Sequence, residues 1–222
     1  YHAWTSKMIL SVLRKRDSLV IPTVKEAMEQ MIQDGITKLI VQPTHILDGI
    51  ENNIMKEDVL SYKKEFQSIV FGAPLLSSEK DSQAIIHAIS EEFPDLASED
   101  ALVLMGHGTA HHVNVVYSNL NKAFKSMGYP NFFLGTVEAE PTVQDLVTEV
   151  EEFQPDKIVL TPFMIVAGDH AHNDMAGTEP DSWLHQFRQM NKNVCPVLKG
   201  LGEYPGIRSM FIEHIQDAMT QL

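Results

Sequence analysis

Two stretches place histidines directly after apolar runs. In "LVLMGHGTAHH" (102–112), His107 stands between Gly106 and Gly108, with His111 and His112 close behind. In "MIVAGDHAHND" (164–174), His170 and His172 follow Gly168 and are flanked by Asp169 and Asp174. A third stretch, "GTVEAEP" (135–141), supplies two carboxylates, Glu138 and Glu140. Imidazole can bind a divalent metal or take up a proton, and its unperturbed pKa of about 6.5 suits both tasks near neutral pH. A carboxylate facing two histidines makes a site of borderline character. Divalent cobalt, iron, nickel or zinc would accept it.

Each residue also has an ordinary explanation. A lone histidine at a strand end is usually satisfied by a neighbouring carbonyl. Here a second histidine cluster ends another apolar run, and that shifts the balance toward function. Asp169 and Asp174 are near enough to orient an imidazole from behind, or to cap a helix. Alternate loop residues need not face the same way, so His170 and His172 are expected to differ in role. His111 and His112 read as helix-start residues. Glu140 precedes Pro141 and reads as solvent-facing. Cys195 lies in an apolar strand and reads as a buried small residue, and the eleven methionines read as core filler. The run Arg14-Lys15-Arg16 reads as a solvated helix end. No Gly-x-Ser-x-Gly elbow, His-Glu-x-x-His pair or phosphate-cradling Gly-x-x-x-x-Gly-Lys is present. "GLGEYPG" (200–206) is glycine-rich without dinucleotide spacing.

These residues need strands to deliver them. Apolar runs at 37–43, 68–74, 101–106, 131–137, 157–166 and 194–198 lack strict alternation, as expected of strands buried on both faces of a parallel sheet. Helical patterns cover 81–93, 115–127, 143–153, 182–190 and 207–219. The alternation predicts an α/β architecture with parallel sheets flanked by helices.

The chain of 222 residues is long enough for a sizeable core, and its 44% hydrophobic and 21% charged content is that of an ordinary globular protein. No apolar run approaches the roughly 20 residues of a membrane helix, so membrane insertion is not expected. A net charge of −13 argues against nucleic acid as a partner. One cysteine rules out an internal disulfide and leaves the compartment open. Cytoplasm is the default location. The opening "YHAWTSKMILSVLRKR" has neither a basic n-region nor an apolar h-region, so it is not a signal peptide and reads like the inside of a domain. An export signal further upstream, and with it a periplasmic location, stays open.

An internal repeat organises the chain. "PTVKEAMEQMIQDGITKLIVQPTHILDG" (22–49) aligns without a gap on "PTVQDLVTEVEEFQPDKIVLTPFMIVAG" (141–168), at an offset of 119. Pro22, Thr23, Val24, Lys38, Pro43 and Gly49 all meet identical residues. Two similar lobes are expected, 1–96 and 97–222, with the metal-site residues in the second. The second lobe opens with "LVLMGHGTAHH" and a helix; the first shows no equivalent. The first lobe is therefore expected to lack its N-terminal strand, and the natural protein to be longer there.

At "MGHGTAHH", "GTVEAEP", "VAGDHAHNDMAG" and "GLGEYPGIRSMF" the sequence resembles the anaerobic cobalt chelatases of the CbiK type, class II chelatases related in fold to ferrochelatase. The resemblance extends over essentially the whole chain. It implies two α/β lobes and the insertion of divalent cobalt into sirohydrochlorin or its close precursor, on the early-insertion route to cobalamin. It places the family's active-site histidines on His107 and His170 and its metal-binding glutamate on Glu138. It implies no cofactor beyond the substrate metal, Co2+ or alternatively Fe2+, and suggests a homo-oligomer. Iron insertion for sirohaem is the nearest alternative reading. A non-turnover carrier of metal or haem is another, with His45 of "PTHILDG" as an exposed ligand, although the repeat aligns His45 with Met164. Sirohydrochlorin carries many carboxylates and this chain is acidic, so long-range attraction cannot recruit it. Arg14, Arg16, Lys199 and Arg208 are the local cations considered for that contact.

Overall fold

The apolar runs become short parallel strands, and the amphipathic stretches between them become helices. The computed structural model describes residues 1–222, apart from the side chains of Lys7 and Met8. The chain forms two compact units, each an α/β layer structure.

The first unit comprises Tyr1–Pro74 and Phe211–Leu222. It holds α1 (Lys7–Asp17), α2 (Val24–Gln33), β1 (Lys38–Val41), α3 (Ile50–Leu60) and β2 (Ser68–Phe71). β1 and β2 pair in parallel, with Lys38 opposite Ser68. Met28, Met31, Met55 and Val59 from α2 and α3 form its core, and Leu39, Val41 and Ile69 pack against them.

The second unit comprises Leu75–Met210. It holds α4 (Glu79–Glu92), β3 (Ala101–Gly106), α5 (Val115–Ser126), β4 (Phe132–Thr136), α6 (Val143–Phe153), β5 (Lys157–Phe163), α7 (Trp183–Arg188) and β6 (Asn193–Pro196). Its sheet is parallel, in the order β4-β3-β5-β6. β3 is central, and Ala101 to Met105 are all 0% exposed. Val103, Phe133 and Leu160 meet Leu146 of α6 and Trp183 of α7 in one core. Each fully buried large side chain of this kind stabilises by about 1.5–3 kcal/mol.

The unit boundary falls elsewhere than the expected 96/97. α4 joins the second unit, where it packs on α5 and its Ala88 lies against Gly206. The last helix, α8 (Pro205–Met219), runs past Met210 into the first unit, where the His214 ring nitrogen Nδ1 donates to the Ala73 carbonyl at 3.1 Å.

The repeat is visible in the fold. α2 and α6 begin at the aligned residues Val24 and Val143. Each is closed by a capping box, Thr23 with Glu26 and Thr142 with Asp145, which satisfies amide donors that a helix start leaves open. β1 and β5 begin at the aligned Lys38 and Lys157, and Lys157 faces Asn193 of β6 as Lys38 faces Ser68 of β2. The two units differ on the other edge. β5 carries β3 there, with Leu102 opposite Val159, whereas among the described residues no strand pairs with that edge of β1. Among the described residues, no helix is long and apolar enough to cross a membrane.

Candidate metal centre

β4, β3 and β5 are neighbours in the sheet, and their C-terminal ends lie side by side, where parallel α/β sheets tend to build their sites. His107 follows β3 directly, Glu138 lies two residues beyond β4, and His170 follows β5 after a short loop. The β3–β4 ladder continues past the strand ends. Val137 N donates to Gly106 O at 3.0 Å, and Glu138 N donates to His107 O at 2.9 Å. Two main-chain bonds thus hold the His107 and Glu138 loops in register.

The glycines on either side of His107 are required by their surroundings. A Cβ on Gly106 would lie 2.5 Å from the Tyr117 ring, and one on Gly108 would lie 2.9 Å from Thr136 and the Ala139 nitrogen. Gly108 also has φ +85°, a conformation that costs other residues energy. Close packing and a left-handed turn therefore require both glycines. Asn114 braces the same loops, accepting from Thr109 N at 3.0 Å and donating to Glu140 O at 2.7 Å. Thr136 Oγ1 donates to Ala139 O at 2.5 Å. Burial pushes the Tyr117 phenol up, despite an opposing hydrogen bond with the Gly108 backbone. Asn114, Thr136 and Tyr117 carry no signal in the sequence that marks them as supports.

His107, Glu138 and His170 each offer a ligand atom, and these atoms lie within 4.8 Å of one another. The two imidazole rings meet edge to face, with centroids 4.8 Å apart and planes at 89°. His107 Nδ1 lies 2.9 Å from Gly108 O and 3.6 Å from Glu138 Oε2. A carbonyl can only accept, so the proton of that bond sits on Nδ1. His170 Nδ1 lies 2.5 Å from Asp174 Oδ2, and the same logic puts its proton on Nδ1. Each ring is left with one lone pair, on Nε2. The side chains of His107 and Glu138 are 48% and 54% exposed, open enough for an ion to reach them.

The remaining candidates lie outside this cluster. His111 caps the 3₁₀ turn His112–Asn114, its Nδ1 accepting from Val113 N at 3.4 Å, in line with a helix-start role. Among the described residues, His172, Asp169 and Glu140 do not join the three-donor group. Cys195 is half-buried in β6, 3.7 Å from Asn193 Oδ1. His45 lies in the first unit, on a groove of about 440 Å3 with apolar walls that include Met28, Met31 and Leu39. Burial pushes its pKa down, and a hydrogen bond to Asn52 opposes this. Of the cations considered for substrate carboxylates, Lys199 is paired with Glu92 at 2.5 Å and Arg16 with Asp17 at 2.7 Å. Arg208 donates to Gly202 O at 3.1 Å, and Arg14 lines a small groove in the first unit.

Known proteins share this fold. SirB from Bacillus subtilis, solved with Fe3+, aligns with a TM-score of 0.64 at 16% identity, over 98% of this chain and 92% of that one. The sirohydrochlorin chelatase SirB from Bacillus subtilis subspecies spizizenii, in complex with cobalt, aligns with a TM-score of 0.60 at 17% identity, over 90% of this chain and 77% of that one. The fold is therefore that of the chelatases. In sequence, the chain is 35% identical to the sirohydrochlorin cobaltochelatase of Salmonella typhimurium, over 99% of this chain and 83% of that protein. It is 29% identical to the sirohydrochlorin cobaltochelatase CbiKC of Nitratidesulfovibrio vulgaris, over 96% of this chain and 75% of that protein. The chain belongs to the cobalt chelatase (CbiK) family, which it matches over residues 1–220.

Proposed function

We propose that this enzyme inserts divalent cobalt into sirohydrochlorin, on the early-insertion route to cobalamin. In this reading His107, Glu138 and His170 hold the incoming ion. The observation that carries it is the cluster itself: three metal donors within 4.8 Å at the ends of three adjacent strands, in a member of the cobalt chelatase family. The ion is substrate, and no further cofactor is needed.

The chemistry follows from the lone pairs. A divalent metal entering a tetrapyrrole displaces two pyrrole protons. Both histidines have Nδ1 occupied by a hydrogen bond, so each Nε2 binds either the ion or a proton. When the ion passes to the macrocycle, two Nε2 lone pairs are released, and two pyrrole protons need acceptors. One Co2+ leaves the protein and two protons replace it, so the charge on the donor set is conserved. Glu138 Oε2 lies 3.6 Å from His107 Nδ1 and completes the donor set with a carboxylate.

The test is single-turnover insertion, followed by the absorbance of the macrocycle under anaerobic conditions with Co2+. The wild-type chain is expected to complete the reaction, and the double variant His107→Ala, His170→Ala to lose it. A double variant at the wild-type rate would overturn the residue assignment. Faster reaction with Fe2+ than with Co2+ would overturn the choice of metal. Binding of haem or metal without turnover would replace the enzyme reading with a carrier.

A further inference from the structure

We infer that Asp174 is the positioning residue of the centre: it fixes the tautomer and aim of His170 without touching the ion. This rests on the reading of His170 as a metal donor. The contact is a hydrogen bond of 2.5 Å from His170 Nδ1 to Asp174 Oδ2. It holds the proton on Nδ1 and so keeps the Nε2 lone pair available, the arrangement by which a carboxylate behind a metal-binding histidine sharpens its basicity and orientation. Among the described residues, the Asp174 carboxylate has no other partner, so helix capping does not account for it. Asp169, adjacent in sequence, makes no such contact with His170.

The backbone explains why the contact is fixed. Ala171–Met175 is a single π-helical turn, a form frequent at functional sites. Its wide bond runs from Ala176 N to Ala171 O at 3.1 Å. Ala171 and Met175 are both 0% exposed and anchor the turn in the core, which leaves His170 and Asp174 at its partly open side. His172 N donates to Gly168 O at 3.0 Å, tying the turn's start to the preceding loop. At its end, Gly177 N donates to Asn173 O at 3.1 Å, and Ser182 Oγ donates to Gly177 O at 2.8 Å. The two histidines are thus fixed by different means. His107 leans on a main-chain carbonyl, which substitution cannot remove. His170 leans on a side chain, which substitution can.

The experiment titrates Co2+ into the full chain without tetrapyrrole, following the visible absorption of the bound ion. Asp174→Ala is expected to weaken binding about 10–100-fold. In a His170→Ala background it is expected to add almost nothing, because its effect acts through that ring. Asp174→Asn keeps the shape and an acceptor oxygen, and is expected to bind more weakly than wild type but better than the Ala variant. It carries the test if the Ala variant fails to fold. Wild-type affinity in Asp174→Ala, or an equal loss with and without His170, would overturn the role of Asp174 while leaving the metal centre standing. Wild-type affinity in His170→Ala would instead overturn the donor reading on which it rests.

Discussion

The ring of His107 stands edge-on to the ring of His170, at 89° and 4.8 Å between centroids. Neither ring can shift far without losing the other or its Nδ1 anchor. If each Nε2 carries the ion first and a proton afterwards, removing either ring breaks both steps. His107→Ala is therefore expected to lower the insertion rate by about 100-fold or more, on the scale of a lost acid–base group. The double variant is expected to be little worse than either single one. Multiplicative losses in single-turnover rates would show that the rings act independently.

Gly108→Ala tests the loop rather than the donors. The added methyl would sit 2.9 Å from Thr136 and the Ala139 nitrogen, on a backbone at φ +85°. The strain is expected to cost about 1–3 kcal/mol in stability. Thr136 ends β4 and Ala139 follows Glu138, so the shift reaches the Glu138 loop and Co2+ affinity should fall as well. A denaturant melt and a Co2+ titration measure the two effects. Unchanged affinity in a folded variant would mean that the loop tolerates the shift.

Much of this was legible in the sequence. His107 and His170 stand out because each belongs to a histidine cluster that follows an apolar run and a glycine, and Glu138 because it is a carboxylate just past another such run. The repeat foretold matching helices and strands, and Thr23 and Thr142 do cap equivalent helices. The choice between Asp169 and Asp174 was not legible. It depends on the π-turn, and no periodicity distinguishes one wide turn from a loop. The glycines beside His107 were legible as glycines, but their packing against Tyr117 and Thr136 joins residues distant in sequence. The unit boundary was hidden for the same reason: the bond from His214 to Ala73 spans most of the chain.

Lys125 predicts a pH dependence of stability. Burial lowers its pKa to about 8, although its Nζ donates to Pro130 O and Phe132 O at 2.6 and 2.7 Å and lies 3.7 Å from the Phe133 ring centre. Between about 8 and the ordinary 10.5, the unfolded chain holds a proton that the folded chain has released. Stability from this group therefore rises with pH across that window. The difference in unfolding free energy between wild type and Lys125→Met should climb from pH 8 to 10. A flat difference would mean the carbonyls hold the ammonium in its charged form.

His45 predicts the opposite end of the scale. Burial lowers its pKa below the ordinary 6.5, so the folded state favours the neutral ring. As pH falls through 6.5, the unfolded chain takes up a proton before the folded one does. Stability is lost across that window and levels off once pH passes the folded value. His45→Gln should flatten the wild-type slope between pH 7 and 5, read from thermal melts. An unchanged slope would assign the acid sensitivity to other groups.

Two glycines in the His170 segment separate a rigid turn from a tolerant loop. A Cβ on Gly177 would run into the Asn173 carbonyl, which accepts from Gly177 N at the end of the π-turn. A Cβ on Gly168 would meet nothing within 4 Å. Neither position has the left-handed backbone that glycine alone tolerates. Gly177→Ala must therefore move the turn, and with it the spacing of His170 and Asp174, whereas Gly168→Ala need move nothing. Gly177→Ala is expected to reduce Co2+ affinity about tenfold, the low end of losing an orienting partner. Gly168→Ala should bind within twofold of wild type, the small effect expected of a change that meets no neighbour. Both variants are read by the same cobalt titration, with thermal melts to confirm folding. Equal affinities for the two would show that the π-turn absorbs a methyl group without disturbing the histidine it carries.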